Sequence, residues 1–199
     1  MERFYHLTFN LVISPPGRGL WMSGTEYAER VGDAENNCYA VSMRPQPYHK
    51  GEEPKVSFAP VFTFDQAMKG GGVGVNIQRK YVGQIPRVKN RVDIAFYCDP
   101  EHKDFKNELE PLGVSSDPDD ILIKRIVHKV ADSREGWAEA LRKVIDAHYE
   151  GQTELIIDVA DVRPRGSEIK GFGGVASGPA PLVEMLMKVN EILNRRVGD

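Results

Sequence analysis

The chain lacks the features that mark several large classes of protein. It has 2 cysteines among 199 residues and no CxxC spacing, which excludes a disulfide framework and leaves a structural zinc site unsupported. No apolar run approaches the roughly 18 residues that cross a bilayer, and the N-terminal residues do not have the pattern of a secretory leader. The formal net charge of -3 gives no overall attraction to nucleic acid or to an anionic membrane. These absences predict a cytoplasmic protein that binds neither.

The order of apolar and turn residues predicts strands that alternate with helices. Short strands are expected over 38–43, 73–77, 92–98 and 155–162, where apolar and β-branched residues dominate. Helices are expected over 62–68, 133–149 and 181–196. The second helix has the clearest limits, because Asp132 or Ser133 can cap its start and Gly151 can close its end. The polar stretch 99–120 has the texture of an insertion.

The segment 163–181 is the strongest candidate for a ligand site. It places cations and glycines just before a helix N-terminus, which suits a phosphate group. The cations are Arg163, Arg165 and Lys170, and the glycines are Gly166, Gly171, Gly173, Gly174 and Gly178. The alternative is an ordinary long loop with solvated cations. A GxGxxA pattern from Gly171 lies too far beyond the preceding strand for a dinucleotide fold, and the P-loop spacing from Gly166 has phenylalanine where lysine is required.

The two cysteines lie in different contexts. Cys38 opens an apolar strand, where a thiol can face a pocket or pack as a small hydrophobe, and the residues alone favour packing. Cys98 ends a strand, and His102 is its one cationic or imidazole neighbour in the sequence. We therefore interpret Cys98 as a structural residue. The 5 histidines form no HExxH or other paired ligand motif, so no metal site is expected.

Six segments stand out in order along the chain. They are RGLWMSGT (18–25), NNCYAVSMRPQ (36–46), MKGGGVGVNI (68–77), QIPRV (84–88), DSREGW (132–137) and RPRGSEIKGFGGVASGPAPL (163–182). Together they resemble the monomeric adenosylcobalamin-dependent (class II) ribonucleoside-triphosphate reductases. The resemblance implies an α/β fold, the first portion of a ten-stranded α/β barrel with an α/β insertion that forms an effector site. It also implies reduction of a ribonucleotide at C2′ by thiyl-radical chemistry.

The resemblance implies roles for particular residues. Cys38 matches the first member of the cysteine pair that reduces the substrate, and Arg18, Gly19 and Asn37 match segments that line the substrate phosphate site. The residues implied in effector binding are Gly70, Gly71, Gly72, Arg163, Arg165, Lys170 and Gly171. The implied division is a first part of the barrel over 1–85, an effector-site insertion over 86–160, and the effector loop with the next barrel helix over 161–199.

The same resemblance implies partners beyond this sequence. The family's radical cysteine, its second reducing cysteine and its adenosylcobalamin-binding segments have no counterpart here, so we expect no reductase activity from this chain alone. Its partners would be a ribonucleoside triphosphate substrate, a deoxynucleotide effector, the remaining reductase polypeptide if the gene is split, and an external dithiol such as thioredoxin.

Two other functions compete with this interpretation. A non-catalytic nucleotide-binding or regulatory module would need only the effector segments, and a neighbouring reading frame that encodes the rest of the barrel would argue against it. A nicotinamide-dependent enzyme rests on the GxGxxA pattern alone, which six ordered segments outweigh.

Overall fold

The computed structural model describes residues 2–10, 12–14, 17, 19, 23–30, 36, 38–119, 127–169 and 174–198. The α-helices are α1 (Glu2–Phe9), α2 (Glu26–Arg30), α3 (Phe58–Met68), α4 (Arg79–Val82), α5 (Arg134–Glu150) and α6 (Ala180–Asn194). The strands are β1 (Cys38–Ser42), β2 (Gly72–Asn76), β3 (Asp93–Tyr97), β4 (Val127–Lys129) and β5 (Glu154–Asp158). The α/β class expected from the sequence is confirmed.

These strands form two parallel sheets. β1 pairs with β2, and a three-stranded sheet has the order β3-β5-β4. The central strand β5 is buried from Leu155 to Asp158, and its run of leucine and isoleucine is typical of a parallel strand that is covered on both faces. β5, α5 and α6 supply much of the core through Leu141, Val144, Ile145, Leu155, Ile157, Leu182, Val183 and Leu186.

The longest helix, α5, has the limits that its sequence predicts. Ser133 is extended at the N-cap, and its Oγ accepts a hydrogen bond of 3.0 Å from the Gly136 N–H. Gly151 follows the last turn with φ of 89°, a left-handed conformation that glycine adopts without a steric penalty. Both ends are therefore specified by residues within one turn of them. None of the helices described is long and apolar enough to cross a membrane.

Two elements differ from the sequence prediction by four residues at one end. The strand expected over 155–162 ends at Asp158, because the Asp158 carboxylate accepts a hydrogen bond of 2.9 Å from the Ala160 N–H and turns the chain. The helix expected over 62–68 begins earlier, at Phe58. Pro60 fits its first turn, where the backbone N–H groups have no partner within the helix.

The described part of the polar stretch, residues 99–119, contributes more to the core than its composition predicts. A π-helical turn (Phe105–Leu109) and a 3-10 turn (Glu110–Leu112) occupy its middle. Phe105, Leu109 and Val114 are buried in the core. Phe105 and Leu109 have the i,i+4 spacing of a helix, but this single pair lies in a short charged stretch that Pro111 follows, so sequence periodicity alone does not predict an element there.

His148 is a buried polar residue that joins α5 to α6 and to the segment around Asn90. It lies on α5 and is fully buried, with Nδ1 donating to the Asn90 carbonyl at 3.2 Å and Nε2 2.9 Å from the Asn190 Oδ1 of α6. Burial lowers the pKa of His148 from its ordinary value of 6.5, because the charged form loses its hydration. The hydrogen bonds to Asn90 and Asn190 oppose this lowering of the pKa, but burial is the larger effect, so the fold disfavours the charged ring.

We predict that this histidine makes the protein less stable in acid. The unfolded chain takes up the proton near the ordinary value of 6.5, whereas the folded chain resists it, so the stability due to His148 is present above that pH and is lost as the pH falls below it. Thermal unfolding between neutral and mildly acidic pH should show a smaller pH-dependence for His148→Gln than for the wild type. The control is His49→Gln, because His49 is exposed. An equal pH-dependence of the melting temperature in His148→Gln and His49→Gln would contradict the prediction.

Candidate functional site

Cys38 is the first residue of β1 and lies at the start of the two-stranded sheet. The two strands are parallel and in register, from Cys38 opposite Gly72 to Ser42 opposite Asn76. The thiol of Cys38 is exposed. The structure therefore places this cysteine beside the end of the glycine turn at 70–72, for which the family resemblance implies a role in effector binding.

The sheet has one packed face and one open face. Tyr39 and Val41 point towards α3, since the Tyr39 ring lies 5.9 Å from the ring of Phe62 and Val41 is buried. Alternation along the strand places Cys38 on the opposite face, where every side chain is small. That face consists of Cys38, Ala40, Ser42, Gly72, Gly74 and Asn76. A ligand can thus approach the thiol and the backbone of both strands closely.

The glycine turn between α3 and β2 has a structural explanation of its own. The Gly70 N–H donates to the Ala67 carbonyl at 2.8 Å, and the Gly71 N–H donates to the Gln66 carbonyl at 2.9 Å. With Gly70 at φ of 74°, this is the Schellman pattern that ends a helix. A Cβ at Gly71 would lie 2.8 Å from the Tyr39 ring. Gly70 and Gly71 therefore end α3, and the missing side chain of Gly71 leaves room for the Tyr39 ring. The role of these glycines in effector binding stays a prediction.

Only part of the expected substrate-phosphate site lies among the described residues. The carbonyl of Gly19 accepts a hydrogen bond of 3.2 Å from the Ser23 N–H, and a Cβ added at Gly19 would meet no atom within 4 Å. Arg18 and Asn37 fall outside the described residues. The expected contact of these residues with a substrate stays a prediction.

Arg163 opens the glycine-rich loop and is bound to Asp132. Its Nε lies 2.9 Å and 2.8 Å from the two carboxylate oxygens, and its backbone N–H donates to Oδ1 at 3.1 Å. The hydrogen bonds to Asp132 raise the pKa of the Arg163 guanidinium. The remaining nitrogens reach the carbonyls of Glu168 and Asp132. The main contacts of Arg163 thus anchor the loop, and its expected contact with effector phosphates stays a prediction.

Arg165 is the more accessible of the two described cations of the loop. Its side chain is 69% exposed and donates one hydrogen bond of 2.9 Å from Nη1 to Glu108. The backbone N–H of Arg165 donates to the buried Asp104 at 2.7 Å. The backbone is therefore held while most of the guanidinium faces solvent. Lys170 and Gly171 lie outside the described residues.

The loop closes on itself before α6 begins. The Gly166 N–H donates to the Ala176 carbonyl at 2.9 Å, the Ala176 N–H donates to the Ser167 carbonyl at 2.8 Å, and Glu168 bridges Val175 in antiparallel fashion. Gly178 has φ of 75°, and a Cβ there would lie 2.4 Å from Asp104 Oδ2. These contacts make the base of the loop a compact hairpin that packs against Asp104.

Sequence reasoning missed the acidic residues that hold the loop. Asp132 lies next to the helix cap Ser133 in the segment DSREGW, which was the available signal. Asp104 carries no local signal, because its partner Arg165 is 61 residues away. Within the described ranges, no group of three or more histidine, cysteine, aspartate or glutamate side chains could hold a metal ion.

The second cysteine is enclosed in the core of the three-stranded sheet. Cys98 is fully buried, and burial raises the pKa of its thiol to about 12. A thiol with this pKa is almost entirely protonated at neutral pH and is a poor nucleophile. The structural role expected for Cys98 agrees with its burial.

Comparisons with known proteins relate the chain to one enzyme family. The family profile described as "B12-dependent ribonucleotide reductase, insertion domain" matches residues 92–193. The chain is 38% identical to the adenosylcobalamin-dependent ribonucleoside-triphosphate reductase of Lactobacillus acidophilus and 40% identical to that of Lactobacillus leichmannii. Each alignment covers 99% of this chain and 29% of the relative.

A solved structure supports the same relationship. The chain superposes on a crystal structure of a B12-dependent (class II) ribonucleotide reductase with a TM-score of 0.89 and 40% identity. The match covers 99% of this chain and 29% of the other. The chain thus spans less than a third of the length of these relatives.

We predict that Gly71 is needed to keep β1 in place. In Gly71→Ala the new methyl group would press on the Tyr39 ring and on the Gln66 carbonyl, 3.1 Å away, so we expect a loss of roughly 1–3 kcal/mol in the free energy of unfolding. Gly74→Ala is the matched control, because its Cβ would lie 3.7 Å from the nearest atom, an ordinary contact. Denaturant unfolding of both variants checks this, and equal stability would show that Tyr39 does not need the space.

Proposed function

Because the chain belongs to the family of B12-dependent ribonucleotide reductases, we propose that it forms the part of a ribonucleoside-triphosphate reductase that supplies one reducing thiol and helps to bind an effector nucleotide. The single observation that carries the proposal is the position of Cys38. Its thiol is exposed at the start of a strand, on a sheet face that bears only small side chains. These surroundings suit a thiol that a substrate must reach.

The proposed reaction needs two thiols for each turnover. Replacing the 2′ hydroxyl by hydrogen and releasing water takes two electrons and two protons, which two cysteines provide as they join in a disulfide. We assign Cys38 as one of them. Cys98 is the other cysteine of the chain and is fully buried, so the second thiol has to come from another part of the enzyme.

Adenosylcobalamin, when bound, supplies the radical that starts the reaction. The resemblance that implies roles for Cys38, Arg18 and Gly19 implies no contact between this cofactor and a residue of the chain. We therefore assign no residue of the chain to this cofactor and expect its binding segments elsewhere in the enzyme.

The effector role rests on the loop at 163–178. Its base is held by Asp132 and Asp104, whereas the Arg165 guanidinium is mostly exposed and is held by one carboxylate, that of Glu108. A polyanion that displaced Glu108 would gain charge-assisted hydrogen bonds from Arg165. We assign this place to the phosphates of a deoxynucleotide effector, with Lys170 as a further ligand. The substrate phosphates are assigned to Arg18, Gly19 and Asn37.

The remaining partners follow from the proposed reaction. The disulfide that forms in each turnover has to be reduced again, which calls for an external dithiol such as thioredoxin. The rest of the reductase must supply the second thiol and the cofactor site. The cytoplasmic location expected from the sequence stays a prediction.

We predict that Cys38→Ser abolishes multiple-turnover reduction in the enzyme assembled with the remainder of the reductase, because serine cannot form the disulfide. Cys98→Ala is the control and should keep most of the activity, since a buried thiol with a raised pKa takes no part in exchange. The measurement is deoxynucleotide formed over many turnovers with a dithiol present. A fully active Cys38→Ser enzyme would remove the proposed role of this residue.

We predict that Arg165→Ala weakens effector binding by about ten- to a hundredfold, the range for losing one charge-assisted contact. Basal turnover should survive, and the effector's influence on substrate choice should weaken in parallel because the two affinities are coupled. Lys188→Ala is the control, because that exposed cation pairs with Glu191 on α6. Effector titration that follows both binding and substrate preference tests this. Unchanged affinity in Arg165→Ala and Lys170→Ala would leave the loop as a structural connection.

A further inference from the structure

Asp65 lies in the last turn of α3 between two cations. Its carboxylate is 3.2 Å from the Lys69 Nζ and makes an ion pair with the Arg134 Nη1. The Lys69 side chain is only 7% exposed, Asp65 is 21% exposed and Arg134 is 23% exposed. Because these charges are largely removed from water, losing Asp65 would remove the carboxylate that Lys69 and Arg134 share, although Arg134 keeps its pair with Glu135. Asp65 therefore holds α3 firmly to the start of α5.

The same helix end holds the glycine-rich loop. Arg134 is the first residue of α5, Ser133 caps the helix, and Asp132 just before it binds Arg163. This turn has little freedom, since a Cβ at Gly136 would lie 2.2 Å from the Ala131 carbonyl oxygen. Two ion pairs thus meet at one rigid corner, one leading to the loop and the other to α3.

From Asp65 the contacts continue to the cysteine. Gln66, the next residue, accepts the hydrogen bond from Gly71 that ends α3. The Tyr39 ring packs on Gly71, and Tyr39 follows Cys38 in β1. A shift of the last turn of α3 would therefore move the surface on which Tyr39 rests and change the setting of the neighbouring thiol.

We propose that Asp65 and Arg134 form a positioning pair that links the glycine-rich loop to Cys38, so that a nucleotide bound at the loop alters the reactivity of this thiol. The inference rests on the proposed function for the identity of the loop's ligand and of the reducing thiol. Neither Asp65 nor Arg134 touches the substrate in this arrangement. They act through the Schellman turn and Tyr39.

The first test needs no nucleotide. Cys98 is fully buried, so the rate at which iodoacetamide alkylates the folded protein reports Cys38, and loss of the reaction in Cys38→Ser verifies this. Asp65→Asn and Arg134→Gln should each change the rate by roughly two- to thirtyfold, the range for coupled positions. The double variant should differ little from either single variant, because each removes the same pair. Asp65→Glu, which keeps the charge, should restore the wild-type rate.

The matched control is Glu191→Gln. Glu191 also holds two cations, Lys188 and Arg195, but on α6, so its loss should leave the Cys38 rate unchanged. Circular dichroism and a melting curve of each variant establish that it is folded. If Asp65→Asn unfolds, Arg134→Gln and Asp65→Glu carry the comparison. Wild-type alkylation rates in folded Asp65→Asn and Arg134→Gln would overturn the inference.

The second test adds each of the four deoxynucleoside triphosphates and measures binding by equilibrium dialysis beside the alkylation rate. In the wild type, a bound nucleotide should change the Cys38 rate, whereas in Asp65→Asn the nucleotide should still bind but leave the rate as it was. A response in Asp65→Asn equal to that of the wild type would overturn the link. If no nucleotide binds the wild type, the proposed effector role of the loop fails, whereas the first test still decides whether Asp65 positions Cys38.

Discussion

Parallel strands end at the same edge of a sheet, and this constraint assembles the surroundings of the glycine-rich loop. β3, β4 and β5 run parallel, so the segments that follow them leave from one edge. Asp104 follows β3 and Asp132 follows β4, and they accept hydrogen bonds from the loop that follows β5. The base of the loop is therefore fixed by acidic side chains from both neighbouring strands.

This arrangement changes how the positive charge of the loop is understood. Arg163 is enclosed by Asp132, and Arg165 shares a hydrogen bond with Glu108, so the local charge of these four residues balances. A phosphate would compete with carboxylates that are already in place. A phosphate can reach Arg165 more easily than Arg163, because the Arg165 side chain is 69% exposed and the Arg163 side chain is 35% exposed. Arg165 also keeps N–H donors that face solvent.

The two cysteines show how strongly the environment decides the chemistry of one residue type. Cys98 is enclosed by the core beside Asp158 and Asp99, where burial and nearby negative charge both raise the pKa of its thiol. Cys38 stands at the start of a strand whose open face carries small side chains. Both cysteines flank apolar strand residues in the sequence, so local composition distinguishes them poorly. Their different exposure comes from the helices and loops that cover each sheet.

The sequence by itself determined those features that depend on neighbours within one turn. Ser133 and Gly151 mark the ends of α5, and the glycines after Met68 mark the end of α3, because capping hydrogen bonds join residues three to five positions apart. The ordered motifs also indicated the family, since each is a short run of particular residues.

The tertiary structure alone decided which charges meet and what is buried. Arg163 pairs with Asp132 across 31 residues, and the Arg165 backbone pairs with Asp104 across 61, through a strand order that no local pattern contains. The burial of Phe105 and Leu109 likewise depends on a π-helical turn packing into the core. Contacts of this kind are set by the order and register of strands distant in the chain, and these depend on which apolar surfaces cover one another.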